Sequence, residues 1–372
     1  MSMSWSAEIW NSWGTMSEVA SAEAESDIVD LSGEGLLTMA DAALSERVPG
    51  GALVELTLMH NKLSRIEHLE PFAVLRRLSL RANRIEAISG LQHCVDLCEL
   101  ELYENQITSL AGLEGLTSLT SLDVSFNQVS RIDGLESAGL AALFALYLAH
   151  NKIECIEGLE GLPSLRLLEL GSNAIRTVDN LAAVPSLTEL HLGRNKLRDL
   201  GHGLAPLHAL RVLGLASNRL RSLGGVEPLG QTLRELYADQ NEIRELAPVA
   251  VLSNLQTLDV GANRVAELAA CAGLLHLEEL WLPRNAIATP EQLVPLRGLS
   301  RLQTLRLAGC PLARESDYRA CVRAALSPGC TSLCQLDADP FRVDAGTAAA
   351  ASEGGGPTRL DAANARQRCA TK

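Results

Sequence analysis

The chain has 372 residues, a formal net charge of -13, and 47% hydrophobic but only 3% aromatic residues. Binding to nucleic acid or to anionic lipid is driven by clusters of Lys and Arg, so this charge argues against both partners. No stretch approaches the roughly 18 consecutive apolar residues that a membrane span needs. A leucine-dominated core with few aromatic residues instead predicts uniform, repeated packing.

The chain opens with a segment that lacks any repeat. Residues 1–27 contain Trp5, Trp10 and Trp13 without periodicity, and we expect a flexible tail. Residues 28–52 are an imperfect copy of the repeat that follows, and Ile28 to Leu31 take the position of its strand. Because a solenoid exposes apolar ends unless they are covered, this segment is predicted to be the N-terminal cap.

Residues 53–312 are predicted to form the repeats themselves, in which an asparagine recurs every 22 residues with occasional insertions of one or two. The series is Asn61, Asn83, Asn105, Asn127, Asn151, Asn173, Asn195, Asn218, Asn241, Asn263 and Asn285. Each asparagine closes the pattern L-x-x-L-x-L-x-x-N-x-(L/I/V). Its alternating centre predicts a short strand with leucines inward and polar residues outward. Each Asn is expected to satisfy turn backbone groups that would cost about 1–3 kcal/mol if left unpaired. In the imperfect first copy, Glu34 takes the place of this asparagine.

This period resembles the short class of leucine-rich repeats. The predicted fold is therefore an α/β repeat, a leucine-rich-repeat solenoid shaped as a curved horseshoe of about 12 coils, with one parallel sheet on its concave face. Residues 313–344 are predicted to form a C-terminal cap, because the apolar spacing from Tyr318 to Leu326 is helical. The Ala/Gly-rich residues 345–372 are expected to be a second flexible tail.

The outward strand positions carry nine carboxylates and two arginines. One explanation is that the carboxylates only keep an exposed sheet soluble. However, three of the four Tyr and four Trp residues also take outward positions: Tyr147, Tyr237 and Trp281. Exposed aromatic residues flanked by charge are typical anchors of protein interfaces. The concave face is therefore predicted to bind another protein.

Neighbouring outward carboxylates have the chemistry for acid–base catalysis or for a hard cation, but no nucleophile or orienting base accompanies them. Cys330 and Cys334 form a single C-x3-C pair without a second pair or a nearby His, and no Gly-rich phosphate loop occurs. We therefore predict no enzyme activity, no metal and no cofactor. Nine irregularly spaced cysteines and the absence of an opening signal sequence predict reduced thiols and a location in the nucleus and cytoplasm.

Several stretches are more specific than the generic repeat. They are Leu102 to Ile107 (LYENQI), Leu122 to Asn127 (LDVSFN), Leu168 to Asn173 (LELGSN), Glu279-Leu280-Trp281, and a cap with Tyr318-Arg319 and Leu336-Asp337. With these motifs the chain resembles, over roughly residues 53 to 343, the leucine-rich-repeat regulatory subunit of protein phosphatase 1, the regulatory subunit 7 family.

The resemblance implies a non-catalytic subunit whose concave face binds the protein phosphatase 1 catalytic subunit and controls its activity or maturation, together with a third inhibitor protein. The family's contact positions resemble Asp123, Tyr147, Glu169, Asp259, Glu279 and Trp281. Three residues depart from the pattern: Tyr147 stands where Phe is usual, His191 replaces an aromatic residue, and Arg306 replaces a Tyr.

The predicted partner-binding set is Asp123, Tyr147, Glu169, His191, Tyr237, Asp259, Glu279, Trp281 and Arg306. A second hypothesis is a structural adaptor of a ciliary, axonemal or ribonucleoprotein assembly. Similar short repeats with the same Tyr-Arg and Leu-Asp cap occur in such proteins.

Overall fold

A computed structural model describes residues 28–343 except Gly50 and Ser137. The predicted tails, with Trp5, Trp10 and Trp13, lie outside the described residues. Within the described part, fifteen short strands form one sheet in chain order, β1 to β15. Neighbours from β1 to β14 are parallel, and β15 is antiparallel to β14. The strands are Ile28–Asp30, Glu55–Thr57, Arg77–Ser79, Glu99–Glu101, Ser121–Asp123, Ala145–Tyr147, Leu167–Glu169, Glu189–His191, Val212–Gly214, Glu235–Tyr237, Thr257–Asp259, Glu279–Trp281, Thr304–Arg306, Gln335–Leu336 and Asp339–Pro340.

The strands are in register, so equivalent residues of successive coils lie side by side. Leu168, for example, pairs with Leu146 on one side and with Leu190 on the other. Strands in a sheet are about 4.8 Å apart, which sets the spacing of every column of side chains along the solenoid. The central leucines point into one continuous hydrophobic core that runs from Leu31 to Val343. The predicted leucine-rich-repeat solenoid with a parallel concave sheet is confirmed.

The asparagine ladder joins each coil to its neighbour. Asn195 Nδ2 donates to the carbonyl oxygens of Leu170 at 2.9 Å and Leu192 at 3.1 Å, and Oδ1 accepts from Ile175 N at 3.0 Å. Arg194, directly before it, has a φ of 55°. Asn fits this turn because a single buried amide both donates to two coils and accepts from one.

The return segments are short, as expected from the length of the repeat. They contain the 3₁₀ helices Met39–Ala42, Leu181–Ala183, Glu227–Leu229, Ala247–Val251, Ala269–Gly273, Pro290–Gly298 and Pro311–Arg314. Two short α-helices complete the described part, α1 at Leu44–Arg47 and α2 at Tyr318–Leu326. None of the helices between residues 28 and 343 is long and apolar enough to cross a membrane.

At the N-terminal end, β1 extends the sheet, with Val29 opposite Leu56. The carbonyl oxygen of Leu31 accepts a hydrogen bond from Asn61 Nδ2, so the first ladder asparagine is satisfied. Glu34 falls at the predicted asparagine position in this register, but its side chain is exposed and does not extend the ladder.

At the C-terminal end, Cys310 takes the position of the next asparagine. Its thiol donates to the Leu282 carbonyl oxygen at 3.2 Å and accepts from Asn285 N at 3.3 Å. The predicted capping helix is confirmed as α2, which packs against the 3₁₀ helix Pro290–Gly298. Val322 and Leu326 of α2 are fully buried, so the helix covers the last coil.

Candidate functional site

Two columns of side chains make up the concave face. The entry column holds the first residue of each strand, and the exit column holds the third. From β5 to β13 the exit column is Asp123, Tyr147, Glu169, His191, Gly214, Tyr237, Asp259, Trp281 and Arg306. The structure therefore places eight of the nine predicted residues in one column, and Glu279 lies in the entry column of the same strand as Trp281. Carboxylates alternate with rings along much of this column.

The sequence analysis expected these outward side chains to be exposed, and the structure corrects this expectation. Asp259 is 7% exposed, and the entry-column residues Ala145 and Leu167 are equally buried. Tyr147 and Trp281 are half-buried. Neighbouring columns on an inward-curving sheet crowd their side chains together, so each covers part of the next. The concave face is thus partly desolvated before any partner arrives.

Three exit-column carboxylates share one local geometry. One oxygen of each accepts a hydrogen bond from the backbone two residues later: Asp123 from Ser125 N at 2.8 Å, Glu169 from Gly171 N at 2.6 Å, and Asp259 from Gly261 N at 2.8 Å. A Cβ at position 171 would lie 2.6 Å from Glu169 Oε1, so a larger residue there would displace the Glu169 carboxylate from its present position. The backbone fixes each carboxylate and leaves its second oxygen for another group.

Burial makes these carboxylates weak acids. The pKa of Asp259 is raised to about 7, mainly by burial and in smaller part by the charge of Asp239, against the opposing effect of the Gly261 N–H. Burial likewise raises the pKa of Asp123, Glu169 and Glu279. Desolvation disfavours the charged form, and a cation brought close would restore it. A positive charge placed on this face would therefore be stabilised by the carboxylates.

Arg306 supplies a positive charge at one end of the face. Its guanidinium carbon lies 4.1 Å from the centroid of the Trp281 ring, and its charge lowers the pKa of Asp259 and of Glu279. Even so, Trp281 Nε1 and Arg306 Nε are buried without a hydrogen-bond partner in the described residues. Buried polar groups are normally satisfied, and each exception costs about 1–3 kcal/mol.

His191 lies among carboxylates in the middle of the face. Burial lowers its pKa, but the carboxylates of Glu189, Glu169 and Glu235 outweigh this effect and raise it. His191 Nε2 lies 3.8 Å from Glu189 Oε2, beyond hydrogen-bond distance, and is a buried atom without a hydrogen-bond partner among residues 28–343. Gly214 provides the space, because a Cβ there would lie 2.9 Å from His191 Nδ1.

The tyrosines are neutral members of the column. The Tyr237 hydroxyl donates to Glu235 Oε2 at 2.8 Å. The pKa of Tyr147 is raised to about 12, mainly by burial and in smaller part by the nearby carboxylates of Asp123, Glu189 and Glu169. Both rings therefore offer apolar surface with a polar edge, which is the side-chain type that anchors protein interfaces.

The sequence analysis missed one residue of the face. Asp239 lies two positions beyond Tyr237, and its Oδ1 is the fourth buried polar atom without a partner in the part of the chain described. Its other oxygen accepts from Gln240 Nε2 at 2.9 Å. The alternation of inward and outward residues continues for one step past the strand, so extending the pattern by two residues would have found Asp239.

The arrangement has the chemistry of a binding surface. Rings and backbone-anchored carboxylates alternate, and Arg306, His191 and four buried polar atoms without a hydrogen-bond partner in the described residues lie among them. Among residues 28–343, no three His, Cys, Asp or Glu side chains are grouped so as to hold a metal ion. Cys330 is buried, with its thiol 2.9 Å from the Leu296 carbonyl oxygen, whereas Cys334 is exposed.

Comparison with known proteins agrees with the fold. Family models described as Leucine rich repeat match residues 117–175 and 185–201, and a model of two such repeats matches residues 95–137. An internalin of Listeria monocytogenes is similar in structure, with a TM-score of 0.63 and 26% identity over 76% of this chain and 80% of its own. A leucine-rich-repeat protein of Leptospira interrogans gives a TM-score of 0.61 at 26% identity, over 77% of this chain and 78% of its own.

One curated relative is a protein phosphatase 1 regulatory inhibitor subunit PPP1R7 homolog of Arabidopsis thaliana. It is 40% identical over 63 residues, which is 17% of this chain. The match spans only 19% of that relative's length. The matching family models and the similar solved structures agree with the leucine-rich-repeat fold of this chain.

Proposed function

We propose that this protein is a non-catalytic regulatory subunit that binds the protein phosphatase 1 catalytic subunit through its concave face and controls its activity or maturation. The observation that carries the proposal is the exit column itself. From Asp123 to Trp281 it presents fixed, desolvated carboxylates between aromatic rings. Such a face is complementary to a positively charged partner surface.

The partner would contribute Arg or Lys side chains to the free oxygens of these carboxylates. These contacts would form on a surface that holds little water, where charge-assisted hydrogen bonds are stronger than in solvent. Because Asp259, Glu169 and Asp123 are already held by their own backbone, little side-chain entropy would be lost on binding. The rings of Tyr147, Tyr237 and Trp281 would supply the apolar contacts of the interface.

The short match to the PPP1R7 homolog supports this choice of partner. The proposal includes a third, inhibitor protein in the complex, and the nucleus and cytoplasm as its compartments. Cys94, Cys271, Cys310 and Cys330 are buried free thiols, the state expected of cysteines in a reducing compartment.

The test is a pull-down from cell extract, probed for the protein phosphatase 1 catalytic subunit and for its activity. Three proteins are compared: wild type, Trp281→Ala/Glu279→Ala, and the control Phe144→Ala/Glu278→Ala. The control removes the same kinds of side chain from positions directly before strands, outside the two concave columns.

Recovery of the phosphatase by wild type and control, with loss in the concave variant, would support both partner and face. Equal recovery by all three proteins would refute the face. If no protein recovered the phosphatase, the proposed partner would be wrong, and co-sedimentation with microtubules would then test the adaptor hypothesis.

A further inference from the structure

A second site lies away from the concave face, at the edge of the sheet where strands β8 to β11 begin. It is a groove of about 420 Å³. Its lining includes Arg211, Arg234, His208 and His276, together with hydroxyl and amide side chains such as Thr188 and Gln256. No Asp or Glu lines it. In a chain with a net charge of -13, a groove lined by arginines and uncharged groups, without a carboxylate, is a selective environment for an anion.

The backbone fixes the two arginines one coil apart. The Thr188 carbonyl oxygen accepts from Arg211 N at 2.8 Å, and the Arg211 carbonyl oxygen accepts from Arg234 N at 2.8 Å. The Arg234 carbonyl oxygen in turn accepts from Gln256 N at 2.7 Å. These four residues directly precede four adjacent strands, so their side chains leave the sheet about 4.8 Å apart.

The polar groups around the arginines are also held in place. His276 Nδ1 lies 2.9 Å from the Ser253 carbonyl oxygen, and because a carbonyl only accepts, Nδ1 carries the hydrogen. Thr188 Oγ1 donates to the Arg166 carbonyl oxygen at 3.0 Å. These bonds cross from one coil to the next, so the groove exists before a ligand enters.

In the described part of the chain, the two arginines have no ion-pair partner. Within residues 28–343, no carboxylate lies within ion-pair distance of Arg211 or Arg234, whereas Arg221 on the opposite edge pairs with Glu242 at 3.5 Å. Like charges on adjacent strands repel each other. A doubly charged anion between the two guanidinium groups would remove this repulsion.

We propose that this groove binds a phosphorylated side chain of a partner peptide. A phosphomonoester carries close to two negative charges and three acceptor oxygens, which match two guanidinium forks better than a single carboxylate does. The volume is in the range of pockets that hold small ligands and accommodates a phosphorylated residue. A long nucleic acid is disfavoured, because Glu278 follows Gln256 in the same column and would repel a polyanion running along it.

The experiment measures fluorescence anisotropy of a labelled peptide, Gly-Gly-phosphoserine-Gly-Gly, titrated with the full chain. The unphosphorylated peptide and a version with Glu in place of phosphoserine are the ligand controls. Arg211→Gln/Arg234→Gln tests the groove. Arg176→Gln/Arg198→Gln is the matched control, since these two exposed arginines lie on adjacent coils of the opposite edge.

We expect wild type and the control variant to bind the phosphopeptide with the same Kd within twofold, and the groove variant to bind at least tenfold more weakly. Inorganic phosphate should compete, and the unphosphorylated peptide should not bind. Equal losses in the two variants would show a non-specific charge effect and overturn the proposal. Equal binding of the Glu and phosphoserine peptides would overturn the choice of phosphate. Circular dichroism checks that both variants are folded.

Discussion

The guanidinium group of Arg306 covers the indole ring of Trp281, with 4.1 Å between Arg306 Cζ and the ring centroid. The two residues are adjacent in neighbouring strands, and Arg306 also acts on the carboxylates of Asp259 and Glu279. The chain thus supplies its own cation at one end of a face that otherwise attracts the cations of a partner.

Replacing Arg306 should change the titration of Asp259. In Arg306→Gln the pKa of Asp259 is expected to rise above its value of about 7, because the charge that lowers it is gone. The measurement is a ¹³C NMR titration of the aspartate carboxyl carbons, with the exposed Arg301→Gln as control. An unchanged midpoint in Arg306→Gln would show that the two groups do not interact.

Asp259→Asn should stabilise the protein at neutral pH. Below about pH 4 the Asp259 carboxyl is neutral in both states, since its unfolded pKa is about 3.9. As the pH rises towards 7, the unfolded chain releases this proton while the folded chain retains it. Wild type therefore loses stability relative to the variant, by an amount on the order of a few kcal/mol.

Thermal denaturation from pH 4 to pH 8 checks this. The Tm advantage of Asp259→Asn should grow up to about pH 7 and then level off, whereas Asp96→Asn, at an exposed position, should show no such trend. A variant less stable than wild type at pH 8 would mean that Asp259 serves the fold. A gain in stability in Asp259→Asn would agree with the proposed binding role of Asp259, because functional residues are often kept at a cost in stability.

Asn195→Ala should lower the free energy of unfolding by about 3 kcal/mol. The substitution leaves the Ile175 N–H without its side-chain partner, and it removes one of the two asparagine amides that donate to each of the Leu170 and Leu192 carbonyl oxygens. Urea denaturation measures the loss, and Gln106→Ala, an exposed amide next to a ladder residue, is the control. A loss below about 1 kcal/mol would show that water replaces the amide.

The C-terminal cap should depend on Asp337 more than on Tyr318. Asp337 Oδ1 accepts from Leu307 N and from Ala308 N, each at 2.7 Å, and Oδ2 accepts from the Tyr318 hydroxyl at 2.9 Å. Tyr318→Phe removes one hydrogen bond and should cost about 1 kcal/mol, whereas Asp337→Ala leaves two backbone N–H groups unpaired and should cost about twice as much. Thermal denaturation of both variants compares them, and equal losses would contradict this assignment.

Much of the fold follows from the sequence because each repeat contacts only its neighbours, so a local pattern determines the whole solenoid. The asparagine at position 195 and its equivalents set the register, and with it the column that holds Asp123, Tyr147 and Trp281. The burial of Asp259 was not predicted, because it depends on how the curved sheet brings adjacent columns together. The contact of Arg306 with Trp281 depends on side-chain conformation, which periodicity does not encode. The groove proposed to bind phosphate was not predicted for a related reason. Arg211 and Arg234 are 23 residues apart in the sequence and become neighbours only because adjacent coils stack in register.

The central claim is that the concave face binds the protein phosphatase 1 catalytic subunit. Isothermal titration with the purified catalytic subunit tests it most directly, comparing wild type with Trp281→Ala/Glu279→Ala and with the Phe144→Ala/Glu278→Ala control. Truncating an aromatic anchor costs about 2 kcal/mol or more, so the concave variant should bind at least about 30-fold more weakly, with an unchanged Kd for the control. Equal Kd values for all three proteins would contradict the claim.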